Sequence, residues 1–462
     1  MLLSMPAPTL LSNSHFERAL SASSPHHGGF GLWRAVVTLT QFPVAFRSSL
    51  DAAAFWLAAY FLLFYVTAPD IWPLSLYLKY LFSISIIVCC IFLTCVRQTI
   101  CLSSVFLLGP LLLSLAGAAS FGQAIMAGGG NTYSSALVPL VIVSAPLFVP
   151  QDNSYAQGRS IVRYLLVVFG TGAAFHVVWQ VAGRLLGISE VEGEAFPSLP
   201  FAPRYFAASS IILYFAILVG FFRRNTALAF ATVLAVISLL LRPSSTLAFS
   251  SILVLGAIFS YRLGLRRLFR FAAWVLLIII MLGNVAILLS DEFARAVYSL
   301  EPYVKSDVLE STSNNEFRLG VTAAARTEMQ ETSIWIGQAF SGDMDVSVNR
   351  YLTWYDKSEA PIHSDFLTII VQGGLIGFAL FSSLFLGLAG LCWRGARLSR
   401  AVDEPASETL FDALLGIDVV FAIYISFNPI MQLLPCVLPF FLTVPLAVFL
   451  SRSLTGAPAA PT

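Results

Sequence analysis

Stretches of 17 to 30 mostly apolar residues recur along this chain, separated by short polar turns. A helix needs roughly 20 such residues to cross a bilayer. Twelve segments are of that kind, at about 50–67, 71–96, 101–119, 133–149, 161–183, 206–222, 225–241, 244–261, 271–290, 364–393, 409–427 and 431–450. In lipid, the backbone groups of each crossing must be satisfied within helices. The expected fold class is therefore an all-α polytopic membrane protein with about 12 transmembrane helices. Gly31–Phe46 is apolar but holds Arg34 and Pro43, and reads as a helix lying in the interface. The expected organisation is a cytoplasmic tail with that helix over 1–49 and spans one to nine over 50–290. A loop over 291–363, spans ten to twelve over 364–450 and a second cytoplasmic tail over 451–462 follow. Met1–Leu11 has no basic flank and does not resemble a cleavable signal.

The polar connections set the orientation. With the N-terminus in the cytoplasm, the inner connections and tails hold 16 of the 26 Lys and Arg residues, among them Arg97, Arg266, Arg267, Arg270, Arg394, Arg397 and Arg400. The short outer turns 68–70, 120–132 and 428–430 hold none. Positive charge retained inside is the usual determinant of topology, so both termini are expected in the cytoplasm.

One outer connection, 291–363, is 73 residues long, with 12 acidic and 6 basic side chains. Loops of that length are usually functional. Ser313-Asn314-Asn315-Glu316 reads as a capping box, and Phe317, Val321, Ala324, Ala325 and Met329 recur at helical spacing. The pattern predicts a short amphipathic helix over 315–331, lying along the outer membrane face.

Composition removes other classes. The chain is 58% hydrophobic and only 11% charged, where soluble domains carry about 25% charged residues. A net charge of +1 supplies no field for nucleic acid. The six cysteines fall in or beside apolar runs and read as packing residues, without a disulfide framework or zinc site. No internal repeat is visible, which argues against an inverted-repeat transporter.

The topology gathers Arg204, Arg242, Arg318 and His363 in one outer compartment. Outer arginines at the lipid boundary run against the positive-inside bias. Arginine binds phosphate with a planar fork and keeps its charge, so a membrane-embedded diphosphate would account for them. Each taken alone also reads as a snorkelling or salt-bridged side chain. His363 has an imidazole able to accept a proton near neutral pH, and a lone histidine equally reads as structural. Asp343-Met344-Asp345 has the letters of a metal signature but reads as a solvated loop. Lys79, His176 and Asp418 are intramembrane polar groups and read as packing or pairing residues.

The segment from His363 runs Ser364-Asp365-Phe366-Leu367-Thr368-Ile369-Ile370-Val371-Gln372-Gly373-Gly374-Leu375-Ile376-Gly377. It resembles the O-antigen polymerase and O-antigen ligase family of bacterial envelopes. That family has a histidine, then Asn or Ser, a leucine four residues after the histidine, and glycines eleven and fourteen after it. Leu367, Gly374 and Gly377 match. The family often has an acidic residue nine positions on, where this chain has Gln372. Arg318 ahead of Ile336-Gly337-Gln338-Ala339-Phe340, and Arg242-Pro243-Ser244-Ser245, match further basic positions, as Arg204 does more loosely.

The resemblance implies a GT-C-like fold with a large, partly helical periplasmic loop. It also implies a glycosyltransferase of the bacterial inner membrane, whose active site faces the periplasm. The donor would be an undecaprenyl diphosphate-linked glycan and the acceptor another glycan or lipid-linked unit. A chain-length regulator would be a further partner. Arg204, Arg242 and Arg318 would hold the diphosphate, with Arg242 and Arg318 stabilising the leaving group. His363 would be the general base for inverting transfer, with no cofactor and no metal. Ser364-Asp365 favours a polymerase of repeat units over a ligase to lipid A core. A secondary transporter is the alternative of another class.

Overall fold

The computed structural model describes residues 102–126, 137–138, 140–147, 263–299, 308–340, 344–345, 359–360, 364–427, 431 and 434–455. Six of the twelve expected spans fall on these residues. The tail 1–49 and the spans 50–67, 71–96, 161–183, 206–222, 225–241 and 244–261 lie outside them.

The described part is helical apart from turns and one two-residue ladder. A 3-10 turn, Leu102–Leu107, leads into α1, Leu108–Met126. Then come α2, Leu140–Ser144, and a 3-10 turn, Ala145–Leu147. The third helix, α3, is Arg266–Leu289, α4 is Asp291–Ser299 and α5 is Val308–Glu331. Strands β1, Met344–Asp345, and β2, Glu359–Ala360, pair antiparallel. The last three helices are α6, Asp365–Ala401, α7, Pro405–Phe427, and α8, Leu434–Thr455. Among the described residues, α1, α3, α6 and α7 are long and apolar enough to cross a membrane. The chain is a helical membrane protein.

Boundaries differ from expectation where packing extends an element. Helix α6 continues to Ala401, and α8 runs to Thr455, beyond the tail boundary expected at 451. Arg452, which the orientation places in the C-terminal cytoplasmic tail, is buried and donates to the Pro146 carbonyl at 2.8 Å. Within 133–149, α2 tightens to 3-10 at Ala145–Leu147, where Pro146 lacks an amide.

Helices α3 and α7 run parallel, since Arg270 meets Asp412 near their starts and Asn284 meets Ser426 near their ends. Helix α6 runs antiparallel to α7: at Gly395 an added Cβ would strike the Phe411 ring, and Phe385 stacks on Phe421 farther along. Small residues allow such close approach in lipid, where dispersion replaces water exclusion as the packing force. The interior between α6, α7 and α8 is aromatic. Phe421 and Phe440 stack at 4.0 Å, and Phe385 meets Phe366 at 5.5 Å and Phe440 at 5.3 Å.

At the end where α3 and α7 start, three arginines close on two acids. Arg270 donates to Asp412 through Nε at 2.5 Å and Nη2 at 3.0 Å, and to Glu408 at 2.6 Å. Arg266 and Arg400 each reach Glu408 at 2.5 Å. Sequence alone assigned these arginines to the inner connections and gave them no partners. Burial of Arg270, Glu408 and Asp412 makes them an interhelical clamp. The readable signal was the four-residue spacing of Arg266 with Arg270 and of Glu408 with Asp412, which puts each pair on one helix face.

Candidate functional site

The opposite end of the bundle holds the candidate site. Helix α3 stops at Ser290, whose extended backbone (φ −132°, ψ 121°) turns the chain and whose Oγ accepts from the Phe293 amide at 3.2 Å, opening α4. Asp291 and Glu292 stand in the first turn of α4, where negative charge suits the helix dipole. Helices α4 and α5 then fold back onto the bundle. Ile287, Ala294, Tyr298, Phe317, Val321 and Leu367 form one buried cluster joining α3, α4, α5 and the start of α6.

The helix expected over 315–331 is present as α5, but it begins at Val308. Ser313 and Glu316 therefore lie within the helix and not at its start. Its apolar face, with Phe317, Val321 and Ala325, is spent on the bundle, so α5 does not lie along the membrane surface on that face.

That packing sets two arginines against the C-termini of two spanning helices. Arg326 donates through Nε to the Leu288 carbonyl at 2.6 Å and pairs with Asp291, which closes the last turn of α3. Arg318 is buried, at 8% exposure, and its Nη2 reaches the Phe427 carbonyl, the last residue of α7, at 3.4 Å. That is long beside the roughly 2.9–3.0 Å most common for an N–H donor on a carbonyl oxygen.

The same final turn of α7 is joined to the start of α6. Ser364 is the N-cap of α6, its Oγ accepting from the Leu367 amide at 3.2 Å. That hydroxyl also lies 3.3 Å from Asn284 Oδ1, while Asn284 Nδ2 donates to Ser426 Oγ at 2.9 Å. Asp365 is fully buried and accepts from the Met431 amide at 2.9 Å. Arg318, Ser364 and Asp365 thus converge around Ser426, Phe427 and Met431. The segment between α3 and α6 leaves and re-enters the bundle at this one end.

A strap, residues 334–340, braces the helix that begins there. Helix α6 breaks at Gly374, with φ 60° and ψ −164°. The carbonyls of Val371 and Gln372 accept from the amides of Gln338 and Phe340, both at 3.1 Å. The Leu375 and Ile376 amides donate to the carbonyls of Ile334 and Trp335 at 2.9 and 3.1 Å. Four bonds to the strap replace the two helical bonds the break removes, as a lipid environment requires. Gly337, at φ 57°, packs directly against the break, where any Cβ would meet Val371 O. Ser120 of α1 donates to the Phe340 carbonyl at 2.7 Å, tying the strap to a third helix.

No protein-family model and no curated protein matches this chain.

Of the residues singled out by sequence, Arg318 is placed at this end of the bundle. His363, Arg204 and Arg242 lie outside the described residues. Gly374 and Gly337, noted in sequence for their pattern, prove to be the two faces of one interlock. Sequence reasoning passed over Asn284, Ser426 and Arg326. The first had a signal: an amide inside the apolar run of α3 needs a partner in lipid.

Proposed function

We propose that this chain is an inner-membrane glycosyltransferase of about twelve spans with a GT-C-like fold. It polymerises undecaprenyl diphosphate-linked glycan repeat units by inverting, metal-independent transfer on the periplasmic side, with both termini in the cytoplasm. The observation that supports this reading is the convergence of Arg318 and the start of α6, the residue after His363, on the final turn of α7. A guanidinium fixed by packing beside the segment that bears an imidazole is the pairing that diphosphate departure with general-base catalysis calls for. In this reading Arg318, Arg242 and Arg204 hold the diphosphate. His363 removes the proton of the acceptor hydroxyl as its oxygen attacks the anomeric carbon, and the glycosyl–phosphate bond breaks with the electron pair leaving on the diphosphate.

The test is His363→Ala in a strain deleted for the native copy, with membrane insertion checked by immunoblot. Loss of polymer, with single repeat units remaining in the surface glycan, is the expected result. Full polymer length and yield would overturn the base assignment. Polymer accumulating on the carrier lipid in the deletion strain would make the chain a ligase, and unaltered glycan there would favour a transporter.

A further inference from the structure

A second feature lies at the other end of the bundle, on its outer surface. Helix α3, helix α6 and the turn leading into α1 enclose a lateral groove of about 830 Å³. Its walls are Phe106, Phe271, Trp274 and Trp393, and its floor is Gly387 and Gly390 on α6. The glycines let the aromatic walls sit close on α6: the Phe106 ring packs directly over Gly387, where a Cβ would collide with it, and a Cβ on Gly390 would be in ordinary contact with Trp274 at 3.7 Å. Leu386, at the deep end, lies about 12 Å along α6 from Arg394 at 1.5 Å per residue. One leaflet's hydrocarbon is about 15 Å thick, so the groove runs through most of a leaflet.

Its mouth is basic. Arg394 lines the groove, and the Arg397 guanidinium lies 6.0 Å from the Trp393 ring centroid. Both arginines are exposed. Neither forms an ion pair with an acidic side chain among the described residues. Their neighbours Arg266, Arg270 and Arg400 contrast with them, being bound to Glu408 or Asp412. The buried clamp thus engages those two acids and leaves Arg394 and Arg397 without an acidic partner among the described residues.

We propose that this groove is a binding site for one anionic phospholipid, with an acyl chain between Trp274 and Trp393 and the phosphate on Arg394 and Arg397. The guanidinium fork matches phosphate oxygens, and the Trp393 ring holds Arg397 in place by a cation–π contact. A zwitterionic headgroup brings its own ammonium to the two arginines and loses that advantage. Basic pockets between spanning helices recognise acidic headgroups in this way. The assignment does not depend on the reaction the protein performs.

The test uses the full chain in nanodiscs of phosphatidylcholine containing equal small fractions of either acyl-brominated phosphatidylglycerol or acyl-brominated phosphatidylcholine. Bromine quenches tryptophan on contact, and the signal from the groove is the part lost in Trp274→Phe/Trp393→Phe. Stronger quenching of that part by the phosphatidylglycerol is expected. The preference should fall about fivefold for each arginine removed in Arg394→Gln and Arg394→Gln/Arg397→Gln. Equal quenching by the two headgroups in the native protein, or a preference unchanged in the double arginine variant, would overturn the site. These arginines are exposed, and an unchanged circular dichroism melt confirms that the variants fold.

Discussion

Arg270 holds Asp412 with two hydrogen bonds, at 2.5 and 3.0 Å, between two parallel helices that both cross the bundle. Both side chains are nearly inaccessible, at 3% and 7% exposure. Such a pair is insulated from screening, and removing one partner strands the other's charge. Arg270→Ala should therefore destabilise the protein by about 3–5 kcal/mol. Arg400→Ala touches the same clamp from a half-exposed position and should cost under about 1 kcal/mol. Unfolding of both variants in mixed micelles checks the contrast, and equal losses would show that the clamp does not act through burial.

The strap and the break in α6 should come apart together. Gly374→Ala and Gly337→Ala each force a left-handed backbone on a side chain, at about 1–2 kcal/mol before any clash. In either variant the amides of Gln338, Phe340, Leu375 and Ile376 should lose hydrogen-exchange protection as a group. Loss confined to the strap amides, with Leu375 and Ile376 still protected, would mean the helix closes its own gap.

Arg326 and Arg318 sit eight residues apart on α5 and should fail differently. Arg326→Gln loses a cap on α3 and should cost about 1–2 kcal/mol of stability, with transfer per folded molecule retained. Arg318→Lys keeps the charge but not the fork. On the proposed function it should lower transfer at least about tenfold while the melting temperature stays within a few degrees. A variant of Arg318 that melts early yet transfers normally would reduce that residue to a helix cap.

Asn284 bridges Ser364 and Ser426, and Asn284→Ala should cost about 0.6–1.7 kcal/mol, the range for polar bridges between helices in lipid. The shift in unfolding midpoint measures it. Asn284→Asp adds a charge to a buried site and should cost more. A smaller loss for Asp than for Ala would place water at this junction.

Much of this was written in the order of residues. The spans at 271–290, 364–393 and 409–427 needed only length and hydropathy, because in lipid a helix satisfies its own backbone and solvation does the sorting. The helical loop at α5 was legible from the spacing of Phe317, Val321 and Ala325, and its start was not, since helical hydrogen bonding continues through polar residues that a sequence reading takes for a cap. Arg270, Arg318, Arg326 and Arg400 look alike in sequence. Tertiary structure made one a buried clamp, one a site candidate, one a helix cap and one a half-exposed partner, because an arginine's role depends on which carbonyls and carboxylates the fold brings within hydrogen-bonding reach of it. The break at Gly374 belongs to the same class: a helix in lipid can open only where another segment, here residues 334–340, supplies the hydrogen bonds, and no local pattern states that the two will meet.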